Sequence, residues 1–133
     1  MHILELNHVA LHIRDVDQSV RFYRDVLLLP PLPRPAFDFP GAWFRLGIRQ
    51  ELHLIGDRSQ QVHSSRRGTH FALQIESTAP WHIHLESLGV TFDPPKLRPD
   101  GAVQIFVSDP DGHWIELVDL SGIVAAIPES SSR

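Results

Sequence analysis

The sequence predicts an α+β fold built from two βαβββ modules, with one helix on one face of each module's mixed sheet. Three observations carry this reading. Residues 8–13, His-Val-Ala-Leu-His-Ile, match residues 70–75, His-Phe-Ala-Leu-Gln-Ile, at an offset of 62. Residues 52–55, Leu-His-Leu-Ile, match residues 115–118, Ile-Glu-Leu-Val, at an offset of 63. Self-similarity at a nearly fixed spacing marks a duplicated unit of about 60 residues. Within each copy, a stretch of alternating apolar residues precedes a stripe at helical spacing, and further alternating stretches follow.

The first strand is predicted over Leu6–Ile13 and the first helix over Val16–Leu28. Asp15 can cap that helix, with Gln18 three residues on, as in a capping box. Val16, Val20, Tyr23 and Leu27 supply its apolar stripe. Residues 30–40 carry five prolines, so they are predicted to be a loop or at most an interrupted edge strand. Strands at Ala42–Leu46 and Glu51–Ile55 then form a hairpin. Residues 56–68 are polar and read as a linker. The second module opens with a strand at Thr69–Ile75. Its helix starts near Ser77 or Thr78, carries Pro80 in its first turn and stops at Gly89, with Trp81, Leu85 and Leu88 as the buried stripe. A short strand near Val90–Asp93 precedes a second proline-rich stretch. Strands at Val103–Ser108 and Trp114–Asp119 flank the turn Asp109-Pro110-Asp111-Gly112, where proline presets φ at the second position. One domain is expected over residues 1–121, with module 1 at 4–56, a linker at 57–67 and module 2 at 68–120. Residues 122–133 form a tail, with no pattern beyond Ser121 and disorder expected over Glu129–Arg133.

Composition narrows the partners. The chain has 133 residues, 42% of them hydrophobic, enough for one adequate core. With 12 basic and 16 acidic residues the net charge is −4, which argues against nucleic acid or an anionic membrane. The chain contains no cysteine, which excludes disulfides, thiolate zinc sites and cysteine nucleophiles. Its apolar runs are too short to span a bilayer. Residues 1–6, Met-His-Ile-Leu-Glu-Leu, lack the basic and long apolar regions of a signal peptide, so a cytoplasmic location is expected.

Strand parity then selects a site. In the first strand Val9, Leu11 and Ile13 face the helix, and His8, Ala10 and His12 face away. In the fourth strand Leu52 and Leu54 pack, which turns His53 outward. In the second module Phe71, Leu73 and Ile75 pack, and His70 lies on the opposite face. In the last strand Ile115 and Leu117 pack, leaving Glu116 opposed to them. Four potential metal ligands, His8, His53, His70 and Glu116, thus share repeat-equivalent positions on the faces away from the helices. A carboxylate inside an apolar strand, left unpaired, costs several kcal/mol, and a metal would offset that cost. Imidazole with carboxylate suits a divalent Zn, Ni, Fe, Mn or Co ion. His12 lies two residues from His8 on the same face, and histidine is the side chain best suited in general to proton transfer near neutrality.

Leu6-Asn7-His8-Val9-Ala10-Leu11-His12-Ile13 with Ser19-Val20-Arg21-Phe22-Tyr23, then Gly68-Thr69-His70-Phe71-Ala72-Leu73, and Asp109-Pro110-Asp111-Gly112 with Ile115-Glu116-Leu117 together resemble the vicinal oxygen chelate superfamily. This is the glyoxalase/bleomycin-resistance/dioxygenase family, and the resemblance spans about residues 4–120. It implies paired modules forming a cup-shaped sheet around a divalent metal, with ligands at His8, His53, His70 and Glu116. Glyoxalase I-like members carry Glu at the second of these positions and epimerase-like members Gln, whereas this chain has His53. The resemblance implies a lyase or isomerase that chelates vicinal oxygens of a small oxygenated substrate and stabilises an enolate or oxyanion, with Glu116 or His12 as the catalytic base. Two alternatives come with the family. One is a ligand-sequestering module of the bleomycin-resistance type. The other is a ring-cleaving Fe(II) dioxygenase using His8, His70 and Glu116, although such enzymes usually contain four modules. A homodimer is also implied.

Overall fold

A computed structural model describes residues 1–124. The expected disordered segment, Glu129–Arg133, lies outside those residues. Two four-stranded mixed sheets carry an α+β fold. Strands β1 (His8–His12), β2 (Pro31–Leu32), β3 (Gly41–Leu46) and β4 (Gln50–Ile55) stand in the order β1-β4-β3-β2. Strands β5 (Phe71–Gln74), β6 (Phe92–Leu97), β7 (Val103–Ser108) and β8 (Trp114–Asp119) repeat that order as β5-β8-β7-β6. In both sheets the first and last strands of the module pair in parallel and the remaining pairs are antiparallel. The repeat in the sequence is therefore a repeat of topology.

The first helix begins as the sequence predicts and then changes. Asp15 caps α1 (Val16–Arg21) by accepting a hydrogen bond from the Gln18 amide at 3.0 Å. From Phe22 to Val26 the helix widens to a π-helical turn, and the Leu27 amide reaches the Phe22 carbonyl at 3.2 Å. Of the expected stripe, Tyr23 and Leu27 are buried. Ser19, Phe22, Tyr23, Val26 and Leu27 are buried, whereas Val16 and Val20 are only half-buried. Leu28 then turns to a φ of 59°, which ends the helix. The helix packs on β3 and β4, over Phe44, Leu52 and Leu54.

In the second module α2 (Thr78–Leu88) starts at Ser77 and stops at Gly89, whose φ of 65° suits glycine. Of its predicted stripe only Leu85 is fully buried, and Leu88 stays exposed. The strand expected to end near Asp93 continues through Pro94 and Pro95 to Leu97. It can do so because β6 lies at the sheet edge and its register shifts between Asp93 and Lys96, so the prolines fall in a bulge rather than in the ladder. The expected strand starts at Leu6 and Thr69 move inward to His8 and Phe71, so His70 precedes β5. A short helix, α3 (Ser121–Val124), follows β8 where a patternless tail was expected. Among the described residues no helix is long and apolar enough to cross a membrane.

Contacts divide the chain into two units. Among the described residues, one is Met1–His63 with Pro110–His113, and the other is Ser64–Asp109 with residues 114–124. The turn Pro110–His113 thus belongs with the first unit, and Asp111 shows why. Its carboxylate accepts the Arg14 amide at 2.8 Å, the Arg58 guanidinium through Nε at 3.0 Å and Nη2 at 2.8 Å, and the Ser19 hydroxyl at 3.4 Å. The Asp111 side chain is 3% exposed and that of Arg58 is 14% exposed.

Removing one partner of a buried ion pair leaves an uncompensated charge, at a typical cost of about 3–5 kcal/mol. Asp111→Ala should therefore lower unfolding stability by about 3 kcal/mol in urea, near the low end because Arg58 keeps some solvent access. A loss below about 1 kcal/mol would show that the cluster is dispensable.

Candidate metal centre

On the first sheet, burial of Leu52 and Leu54 turns Glu51 and His53 to the face away from α1. The parallel ladder sets His8 opposite Glu51 and Ala10 opposite His53. Trp43 lies directly across from His53 on β3. The three rings stack. His53 sits 4.2 Å from His8 at 18° and 3.9 Å from Trp43 at 5°. His53 Nε2 donates to Glu51 Oε1 at 2.9 Å. His8 Nδ1 donates to Asn7 Oδ1 at 2.8 Å, which leaves Nε2 as the bare nitrogen of the neutral ring. His12 Nε2 donates to the Gly56 carbonyl at 3.1 Å, leaving Nδ1 bare.

On the second sheet, Ile115 and Leu117 are buried toward α2, and Glu116 faces the other way with Phe106 across the ladder. Glu116 is 5% exposed. Its Oε1 lies 3.0 Å from His70 Nε2, its Oε2 accepts from Gln104 Nε2 at 3.0 Å, and Arg98 Nη1 stands 3.9 Å from Oε2. The carboxylate expected to be unpaired thus has protein partners, and its burial alone does not demand a metal. The register explains the difference. Gln104 stands opposite Val118, diagonal to Glu116 on the same face. Gln104, Arg98 and Glu51 were not singled out from the sequence. The alternation of Gln104 and Phe106 with Val103, Ile105 and Val107 is the signal that marks Gln104 as facing Glu116.

Each unit thus brings together two of the four expected residues, His8 with His53 and His70 with Glu116. Among the described residues no three His, Asp or Glu side chains gather where they could hold one ion. The donor chemistry nevertheless fits a divalent ion at three positions. His70 stands between two oxygen acceptors, the Ser65 carbonyl 3.2 Å from Nδ1 and Glu116 Oε1 3.0 Å from Nε2; a neutral ring can donate to only one of them, and the Nε2 proton is the one a metal would displace. That is the orientation metal-binding histidines usually take, with the second nitrogen held by an oxygen acceptor. His8 shares it. His53 does not, because its Nε2 is committed to Glu51. Nearly parallel rings also direct their in-plane lone pairs side by side rather than at a common point.

A family model described as the Glyoxalase/Bleomycin resistance protein/Dioxygenase superfamily matches residues 5–117. The chain is 32% identical to glyoxylase I 4 of Arabidopsis thaliana, over 92% of this chain and 75% of that protein. It is 30% identical to the metallothiol transferase FosB of Bacillus licheniformis, over 86% of this chain and 75% of that protein. Among solved structures, a glyoxylase/bleomycin resistance protein/dioxygenase domain from Frankia sp. EAN1pec superposes with a TM-score of 0.75 at 23% identity, over 89% of this chain and 98% of that one.

Near Glu116, the Asp100 carboxyl is held down to about 2, from its ordinary 3.8, chiefly by its hydrogen bond to Arg98. A carboxyl lowered on folding contributes stability that is complete above 3.8 and is lost as pH falls through about 2. Arg98→Gln should return the Asp100 midpoint, followed by carboxyl-carbon NMR, toward 3.8. A midpoint unchanged by that substitution would show that another group sets it.

Proposed function

This chain belongs to the Glyoxalase/Bleomycin resistance protein/Dioxygenase superfamily, and from that premise we propose that it is a metal-dependent lyase or isomerase acting on a small oxygenated substrate. His8, His70 and Glu116 are the proposed ligands of one divalent ion, with His53 as a fourth once its Nε2 leaves Glu51. The observation that carries this reading is the pairing of a buried Glu116 with a His70 whose Nδ1 is tied to a backbone carbonyl. A bound divalent ion supplies Lewis acidity that polarises substrate oxygens and stabilises an enolate or oxyanion.

The chain's own groups do the rest. The Ser65 carbonyl and the Asn7 side chain hold His70 and His8 by Nδ1, which fixes the nitrogen each ring offers. Gln104 holds Glu116 Oε2 and His70 faces Oε1, so Oε1 is the proposed oxygen that takes a substrate proton once it parts from His70. His12 is the second proposed base, through Nδ1, with Gly56 fixing its tautomer. Trp43 and Phe106 present aromatic walls beside His53 and His70, which limit water around the reacting oxygens. The proposal includes a homodimer, which the family resemblance implies, and the cytoplasmic location expected from the sequence.

A second reading has one observation in its favour. Glu116 is satisfied by His70 and Gln104 without a metal, as a ligand-sequestering module would require. Metal content separates the two. Protein made without a histidine tag and analysed by mass spectrometry should hold about one divalent ion per chain, and Glu116→Gln should weaken uptake about 10–100-fold, as loss of a ligand or its support does. Substoichiometric metal that Glu116→Gln does not alter would leave the sequestering module as the better reading.

A further inference from the structure

The second sheet carries a groove of about 730 Å³ on the same face as Glu116. That size lies within the range of about 300–1,000 Å³ usual for small-molecule sites. Its charge sets it apart. The whole chain has a net charge of −4, yet Arg66, Arg67, Lys96 and Arg98 line the groove, and Asp93 is the one acid lining it among the described residues. Gln104 and Phe106 form its floor. Lys96 pairs with Gln104 across the β6–β7 ladder, and Gln104 donates to Glu116 Oε2 at 3.0 Å. The floor of the groove therefore touches the proposed catalytic carboxylate.

The four cations are not equivalent. Arg66 bonds Asp93 at 2.8 Å and lies 4.4 Å over the Trp114 ring. Arg98 is clamped on Asp100 through Nε at 2.8 Å and Nη2 at 2.7 Å. These two are anchored and partly neutralised. Arg67 and Lys96 have no carboxylate partner among the described residues, so their charge is available to a ligand. Guanidinium and ammonium groups lining one groove suit an oxyanion, which they meet with charge-assisted hydrogen bonds.

We propose that this groove binds the oxyanion group, carboxylate or phosphate, of a small ligand whose other end lies at Glu116 and His70. The proposal deepens the metal-enzyme reading by naming its substrate class, an anionic compound, and it rests on that reading only for the second contact. Full-length protein, with and without added Zn²⁺, is titrated separately with inorganic phosphate and with malonate and followed by ¹H–¹⁵N NMR. Saturable shifts are expected at residues 96–98 and at the Trp114 indole, weakening as salt rises. Lys96→Ala and Arg67→Ala should each weaken binding about tenfold, and Lys96→Arg should retain it. The tighter of the two anions identifies the source of the oxyanion. Shifts absent for both anions, or binding equal to wild type in both alanine variants, would overturn the groove. His8→Ala, on the first sheet, keeps the two readings apart, since it should lower Zn²⁺ uptake and leave phosphate binding intact. Zn²⁺ uptake without anion binding overturns the groove and leaves the metal centre standing. Anion binding without Zn²⁺ uptake supports the groove and removes the metal reading.

Discussion

Parallel pairing between the first and last strands of each module governs everything placed on the open faces. Leu52 and Leu54 in one sheet, and Ile115 and Leu117 in the other, must face their helices to stay dry. The period of two then leaves His53 and Glu116 no choice of side. A slip of one residue between β5 and β8 would carry Glu116 into the helix-facing core and expose Ile115 and Leu117. The apolar cost of such a slip, about 1.5–3 kcal/mol for each large side chain, adds to the cost of a charge without partners. The chemistry of the open faces is thus enforced by burial on the opposite ones.

The two open faces share a plan and differ in content. An aromatic side chain stands directly across the ladder from the ligand-type residue in both, Trp43 opposite His53 and Phe106 opposite Glu116. In the first sheet that arrangement stacks His53 between two rings and spends its Nε2 on Glu51. In the second sheet the carboxylate instead collects polar neighbours, His70, Gln104 and Arg98. His8 and His70 each have Nδ1 against an oxygen acceptor, as metal-binding histidines usually do, whereas His53 Nε2 is committed to Glu51. The cations around the groove extend the polar side of the second sheet toward β6, where the proline bulge turns Lys96 onto the same face as Gln104.

Much of this was legible in the sequence, for identifiable reasons. The repeat of His8 at His70 and of His53 at Glu116 gave the order of elements, and β7 and β8 were bounded correctly because the Asp109–Gly112 turn separates two clean alternations. Asp15 announced its cap, and the second helix starts where Ser77 or Thr78 was expected to open it. The losses have physical causes as well. The π-helical turn at Phe22–Val26 has no signature in a stripe of period 3.6, and Phe22 and Val26 are buried beside the expected Tyr23 and Leu27. Pro94 and Pro95 read as a loop, since only pairing can show that they occupy a bulge on an edge. Alternation along β7 puts Gln104 on the same face as Glu116, but only the register across strands brings Gln104 and Arg98 within reach of it, and no spacing along the chain encodes register. Asp111 read as a turn residue, although it also gathers Arg14, Arg58 and Ser19.

The central claim is that two histidines with oriented Nε2 atoms and one buried carboxylate make a divalent-metal centre. X-ray absorption at the metal edge of the Co²⁺-substituted protein tests it most directly. The account predicts imidazole scattering from two or three histidines together with a carboxylate oxygen at about 2.0–2.2 Å, with the imidazole signal reduced in His70→Ala. A shell of oxygen alone, or a spectrum unchanged by that substitution, would contradict it.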